Sequence, residues 1–331
     1  MPVWAILFGS FIILLVIRVP LGFAIGIATL LTMAIEGMPL TTLAVTYFSA
    51  VDTFAFMAIP LFLFAGSLME HGGISARLIA VADVLLGRLV GGLSLVTIGA
   101  SMFFGALTGA GNTATAAVGS MMIPTMIKRG YGAAFAGAVT AIGGTMGILI
   151  PPSIALIVYG IMADVSIARL FLAGVVPGVI LGMALMVAAY LISRKRGYKG
   201  SDTQFSVSGL GTAVNHGKWA LMAPVIILGG IYGGVIPPTE SAVIAVVYGF
   251  LVGAFIHKEL TFEKIVTCLK ATAAVTGVVG IIWGTALGFG ELLAIHQIPQ
   301  MVSTGILAVT ASAVVALILI SVWEIFIGMW M

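Results

Sequence analysis

Gly105-Ala-Leu-Thr-Gly-Ala-Gly-Asn-Thr113 lies at the middle of an uncharged run, 89–127, bounded by Arg88 and Lys128. The run is too long for one membrane span, and its centre is poor helix material. The flanking arms, 89–104 and 114–127, reach only ~21–24 Å at 1.5 Å per residue, short of a hydrocarbon core of ~30 Å. The reading is a re-entrant hairpin that dips into the bilayer and returns to the side it left. Arg88 and Lys128-Arg129, at its two mouths, then share the cytoplasmic side, as the positive-inside rule favours.

Working outward, the next uncharged run, 130–163, would measure roughly 51 Å as one helix, too long for a single span and too short for two. Gly143-Gly-Thr-Met-Gly147 and Pro151-Pro-Ser153 interrupt it. Gly147 and Pro152 both oppose continuous helix, so the run reads as one crossing helix unwound at mid-membrane. Asp164 falls outside, and run 170–193 returns to Arg194-Lys-Arg196. Residues 194–217 form a cytoplasmic linker. A second half starts at Lys218, with spans expected over 219–239, 241–257 and 271–290. Before the hairpin, 2–17, 19–35 and 53–69 read as helices, the first retained rather than cleaved. Residues 75–88 read as an interfacial amphipathic helix. All 14 Lys+Arg except Arg18, Arg77 and Arg169 fall on the cytoplasmic side of this topology.

Composition agrees. The 331 residues are 61% hydrophobic and 8% charged, with a mean hydropathy of +1.25. A soluble domain carries ~25% charged residues, so a water-facing surface cannot be built from this chain. The apolar runs are long and continuous, not the short alternating segments of a β-barrel. One cysteine excludes a disulfide framework, and the four histidines have no metal-ligand spacing. No nucleophile–base or metal constellation points to an enzyme. The sequence pI of 9.1 reflects Lys and Arg at the ends of apolar runs, not a nucleic-acid partner.

Irregular backbone at membrane depth is costly unless it lines a cavity or is buried in protein. Unwound carbonyls can coordinate a cation such as Na⁺, and exposed half-helix N-termini can hold an anion. Thr108, Asn112, Thr113 and Thr115 bring polar side chains to the hairpin tip; Thr145 and Ser153 bring them to the break. Helix packing explains a single Gly-rich run equally well; two in succession, each of the wrong length for a plain span, favour a site. Glu240 is expected to open a helix behind a Thr239 cap, and Glu291 to sit in a loop.

With these residues placed, the chain resembles the large membrane subunit of tripartite ATP-independent periplasmic (TRAP) transporters, the DctM-like family. The resemblance is carried by Ala58-Ile-Pro-Leu-Phe-Leu-Phe-Ala-Gly-Ser-Leu-Met69, Gly72-Gly-Ile74, Phe103-Phe-Gly-Ala-Leu-Thr-Gly109 and Gly119-Ser-Met-Met-Ile-Pro124. Lys128-Arg-Gly-Tyr131, Gly147-Ile-Leu-Ile-Pro-Pro-Ser153 with Tyr159-Gly160, and Gly233-Gly-Val-Ile-Pro-Pro-Thr-Glu-Ser-Ala242 complete it. These stretches occur in family order along the whole chain. Two features depart from the family pattern. The tip reads Thr108-Gly109-Ala110 where the family usually has Ser-Gly-Ser. Val322-Trp-Glu-Ile-Phe-Ile-Gly-Met-Trp330 resembles the approach to a second hairpin tip, so the chain is expected to be C-terminally incomplete.

The resemblance implies an all-α polytopic membrane protein, an inverted-repeat elevator-type transporter with re-entrant hairpin and broken helices. Residues 1–88 would hold the first scaffold helices and the interfacial helix. Residues 89–163 would form the first transport unit, with hairpin 89–127 and broken helix 130–163. A transmembrane helix (164–193), the linker (194–217) and a truncated second repeat (218–331) follow. The implied function is Na⁺-coupled, binding-protein-dependent import of an organic acid such as a C4-dicarboxylate across the bacterial inner membrane, with no cofactor beyond the coupling ion. The implied partners are a small four-helix membrane subunit and a periplasmic substrate-binding protein. Thr108, Gly109, Gly111, Asn112, Thr113, Gly144, Thr145 and Gly147 are expected to bind Na⁺. Asn112, Thr113, Thr115, Pro151, Pro152 and Ser153 are expected to meet the substrate. A single-component anion:cation symporter of related fold and an inactive truncated membrane scaffold are the alternative functions.

Overall fold

The structure, a computed structural model, describes residues 2–200 and 207–330. All regular structure among them is helical. The first helices are α1 (Val3–Val16), α2 (Leu21–Ile35), α3 (Thr41–Val51), α4 (Ala58–His71) and α5 (Ile74–Leu86). The central ones are α6 (Gly92–Thr108), α7 (Gly111–Lys128), α8 (Ala133–Gly144), α9 (Met146–Leu149), α10 (Ile154–Met162) and α11 (Ile167–Lys195). The last are α12 (Val207–Tyr232), α13 (Pro238–Leu251) with a π-helical continuation over Val252–Ile256, α14 (Phe262–Ile295), α15 (Ile298–Val309) and α16 (Ala313–Trp330). Among the described residues, four stretches are long and apolar enough to cross a membrane: Ala133–Met162, Ile167–Lys195, Pro238–Ile256 and Phe262–Ile295. Of the linker expected over 194–217, residues 201–206 lie outside the described residues; helix flanks them up to Lys195 and again from Val207.

The chain forms two units, Met1–Asp52 with Gly277–Met331, and Thr53–Thr276. In the first, Leu7, Met33, Leu43 and Leu292 make a buried cluster, with Met38 and Phe289 packed on it. Small residues bring its helices close, as expected where lipid provides no hydrophobic drive between helices. A Cβ added at Gly22 would lie 2.9 Å from Ile281 Cγ2, and one at Gly26 would lie 2.9 Å from Thr285 Cγ2. The Trp283 indole N–H donates to the Ala50 carbonyl at 3.0 Å. Glu291, expected in a loop, is helical and accepts a bond from the Thr46 hydroxyl at 2.7 Å. α14 runs past Gly288 and Gly290 and stops only where Gln297 takes a left-handed φ of 54° ahead of Pro299.

In the second unit α4 packs on α13, α5 on α12, and α6, α7 and α8 on one another. Their core holds Leu95, Ile98, Met126, Phe135 and Val139, with Ala189 of α11. The amphipathic helix expected over 75–88 is α5, which turns Leu78, Val81 and Ala82 inward. The expected span 219–239 is instead divided. α12 ends at Tyr232, Gly234 takes φ 68°, and Pro237 and Pro238 start α13. Proline fits a helix start because its missing N–H is one that the first turn leaves unpaired. Glu240 does sit in that first turn, but Thr239 does not cap it. The residue outside the helix is Pro237, and the Thr239 hydroxyl faces the Phe54 carbonyl at 3.5 Å.

Candidate functional site

α6 and α7 form a helical hairpin whose tip is two residues wide. α6 stops at Gly109, which takes φ 64° and returns its N–H to the Gly105 carbonyl at 2.9 Å. That is a left-handed glycine cap, and a side chain there would be strained. Ala110 then extends (φ −131°, ψ 120°) and α7 begins at Gly111. The broken helix supplies the other half. α8 ends at Gly144, α9 lasts one turn, the chain bends over residues 150–152 with Ile150 and Ser153 extended, and α10 starts after Ser153. The missing Pro N–H groups and the glycines account for the break.

The two irregular segments meet through backbone. The Ile154 N–H donates to the Gly109 carbonyl at 3.1 Å. A Cβ on Gly105 would lie 2.6 Å from Gly147 Cα, and one on Gly109 would lie 2.7 Å from the Pro152 carbonyl oxygen. A Cβ on Gly111 would sit 3.0 Å from the Gly144 carbonyl oxygen, and one on Gly147 would sit 3.2 Å from that of Ala110. The glycines therefore act by omission. They let carbonyls of one segment approach the main chain of the other.

The side chains divide by what they already bond. Thr108 is buried and donates to the Phe104 carbonyl at 3.2 Å. Thr145 is exposed and donates to the Ile142 carbonyl at 2.6 Å. Ser153 is buried with Pro151 and Pro152. Its hydroxyl accepts from the Leu156 N–H at 3.4 Å as the cap of α10 and donates to the Ile148 carbonyl. Thr115 is half-buried, with its hydroxyl against Gly144. Asn112 is exposed and Thr113 half-buried in the first turn of α7, whose N-terminus has no side-chain cap. Of two helix N-termini at the crossing, that of α10 is satisfied by its own serine and that of α7 is open. An open N-terminus favours negative charge; carbonyl groups favour a small hard cation.

Sequence reasoning missed two contributors. Gly105 touches Gly147 from within α6; its signal was the small-xxx-small spacing Gly105–Gly109. Gly66 of α4 backs the tip, since a Cβ there would lie 2.6 Å from Thr108 Cγ2. No local pattern marks that approach.

The family model described as "Tripartite ATP-independent periplasmic transporter, DctM component" matches residues 8–331. The chain is 41% identical over 327 residues to an isethionate TRAP transporter permease protein DctMQ of Oleidesulfovibrio alaskensis, covering 98% of this chain and 52% of that protein. It is 36% identical over 320 residues to a sialic acid TRAP transporter permease protein SiaT of Haemophilus influenzae, covering 96% and 52%. It is 35% identical over 290 residues to a C4-dicarboxylate TRAP transporter large permease protein DctM of Pseudomonas aeruginosa, covering 88% and 68%. The chain thus spans about half the length of the first two relatives. A chain whose described residues form only helices as regular structure, with a helical hairpin, a broken helix and several membrane-length apolar segments, and which is matched over nearly all its residues, belongs to the DctM family of TRAP transporter large permeases.

Proposed function

We propose that this permease imports an organic acid by Na⁺-coupled symport, working with a small membrane subunit and a periplasmic substrate-binding protein in the inner membrane. The observation that carries the reading is the backbone crossing of the α6–α7 tip with the α8–α10 break. Carbonyls of Ala110, Gly144 and Pro152 approach the opposite segment there, beside an uncapped α7 N-terminus. Uncharged oxygens suit a monovalent cation, and the open N-terminus suits a carboxylate or sulfonate. The names of the relatives, isethionate, sialic acid and C4-dicarboxylate, are all of organic acids. Their diversity leaves the class of substrate, not its identity, as the proposal.

On this reading Thr108, Gly109, Gly111, Asn112, Thr113, Gly144, Thr145 and Gly147 surround Na⁺. Asn112, Thr113 and Thr115, with Pro151, Pro152 and Ser153 behind them, face the substrate. The hairpin is re-entrant and moves with the broken helix as one body in an elevator-like cycle. The test is uptake by proteoliposomes holding the permease and its membrane partner, with binding protein and candidate acids outside and an inward Na⁺ gradient. Asn112→Ala or Thr145→Ala should raise the half-activating Na⁺ concentration by about tenfold, the equivalent of one lost ligand worth ~1.4 kcal/mol. Unchanged Na⁺ activation in both variants would place the ion elsewhere. Undiminished uptake without binding protein would favour a single-component symporter.

A further inference from the structure

A cleft of about 670 Å³ lies beside the open end of the α6–α7 hairpin, away from the tip. One wall is apolar, with Ile79 of α5, Leu93 and Val96 of α6, and Met121 of α7. The opposite rim is basic, with Arg129 after α7 and Arg196 and Lys199 after α11. Among the described residues, Asp83 is the one carboxylate in the lining. The ion pairs formed among the described residues, Arg77 with Glu259 and His296 with Glu36, engage none of the three rim cations.

The rim is held in place. The Tyr198 ring stacks on Tyr131 with centroids 4.2 Å apart, and its hydroxyl accepts the Gly132 N–H at 3.0 Å. The Tyr131 hydroxyl donates to the Lys199 carbonyl at 3.3 Å, and the Gly91 N–H donates to the Tyr198 carbonyl at 3.1 Å. Arg196 lies over the Phe135 ring, 5.2 Å from its centroid. These contacts bind the ends of α7 and α11 and the start of α6 around the cleft. Burial pushes the Asp83 carboxyl up from its ordinary value, against the pull of Arg129.

The depth of the cleft suits an amphiphile. α11 has 29 residues, ~43 Å, enough to carry its basic end beyond a ~30 Å hydrocarbon core. The rim then stands at headgroup level and the apolar wall faces the upper acyl chains. A soluble anion would use the rim and leave the wall unused. Basic pockets between helices on the cytoplasmic side are a known way to hold anionic headgroups. We propose that this cleft binds an anionic phospholipid, with its phosphodiester on Arg129, Arg196 and Lys199 and its glycerol and first acyl segment on the α5–α6–α7 wall. The lipid joins the open end of the hairpin to the end of α11.

The test is lipid binding to the purified, delipidated full chain, followed by native mass spectrometry. Phosphatidylglycerol, phosphatidylcholine of the same chains, and inorganic phosphate are each titrated. Phosphatidylglycerol should half-saturate at a concentration at least about fivefold below phosphatidylcholine. Arg129→Gln and Lys199→Gln should each weaken phosphatidylglycerol about fivefold. Lys199 contributes only its backbone carbonyl to the clasp, so K199Q keeps the fold if R129Q does not. Lys128→Gln and Arg194→Gln remove the same charge from positions that do not line the cleft and serve as controls. Equal weakening by the controls would mean diffuse surface attraction and overturn the site. Displacement of the lipid by inorganic phosphate at equal concentration would make it a free-anion site and overturn the lipid assignment.

Discussion

At the scale of single residues, the crossing depends on atoms that are absent. Gly105→Ala would place a Cβ 2.6 Å from Gly147 Cα. The obstacle is backbone, which cannot rotate away, so the two segments must separate. Overpacking of this kind costs about 1–3 kcal/mol. A fall in melting temperature is expected, and, if the proposed Na⁺ site is there, loss of stabilisation by Na⁺ with it, whereas Gly137→Ala, with nothing within 4 Å of the added atom, should leave the melting behaviour unchanged. A melting temperature unaltered by G105A would mean that the segments are not in contact. His257 supports a second prediction. Its Nδ1 is 2.8 Å from the Gly72 carbonyl, which can only accept, so the proton is on Nδ1; Nε2 is buried with no partner. Burial lowers its pKa, aided by Arg77 and opposed by the Gly72 bond and Glu259. The folded chain therefore stays neutral there at a pH where the unfolded chain has bound a proton. The contribution to stability is complete above the ordinary value of ~6.5 and is lost as pH falls below it. Melting temperature should drop between pH 7.5 and 5.5, and His257→Asn, which keeps a donor, should reduce the drop. An identical drop in the variant would assign it to other groups.

At the scale of elements, α10 depends on its cap. Ser153 is buried, so Ser153→Ala removes the hydroxyl that bonds the part-buried Ile148 carbonyl and Leu156 N–H. A lost cap costs about 1 kcal/mol. Thermal unfolding should show the loss, and Ser153→Thr should recover much of it. If S153A melts as the unaltered protein does, the hydroxyl is not the cap. The break itself was legible in the sequence, because Gly143, Gly147 and Pro152 each oppose helix. The role of Ser153 was not: a hydroxyl beside two prolines reads equally as ligand or cap until its partners are seen. Thr239 shows the converse, since the local pattern named a cap and the chain placed Pro237 outside the helix.

At the scale of the whole molecule, the basic segments are expected to set the topology. Arg88, Lys128 and Arg194 are expected on one side, the cytoplasmic one. Cysteines placed singly at these positions should resist a membrane-impermeant thiol reagent added from the periplasm. The native Cys268 is fully buried and should not interfere. Strong labelling of Lys128→Cys would make α6 and α7 something other than a re-entrant pair. The two units carry different parts of the reading. The hairpin, the broken helix and the basic cleft all lie within Thr53–Thr276. Met1–Asp52 with Gly277–Met331 holds no residue assigned to the site.

The amino-acid sequence alone determined class and interruption. Composition excludes water as the solvent for most of the surface, uncharged runs count out helices, and glycine and proline mark where those helices cannot continue. These are local constraints, so they are visible without a fold. That the tip meets the break was expected from sequence, but the atoms in contact, the Gly105–Gly147 approach among them, were decided only by tertiary structure, as was the stacking of Tyr131 on Tyr198. The same is true of Glu291 inside a long helix. Each depends on which surfaces face one another across many residues. A glycine's missing side chain carries no pattern of its own until the neighbouring backbone that fills the space is in place.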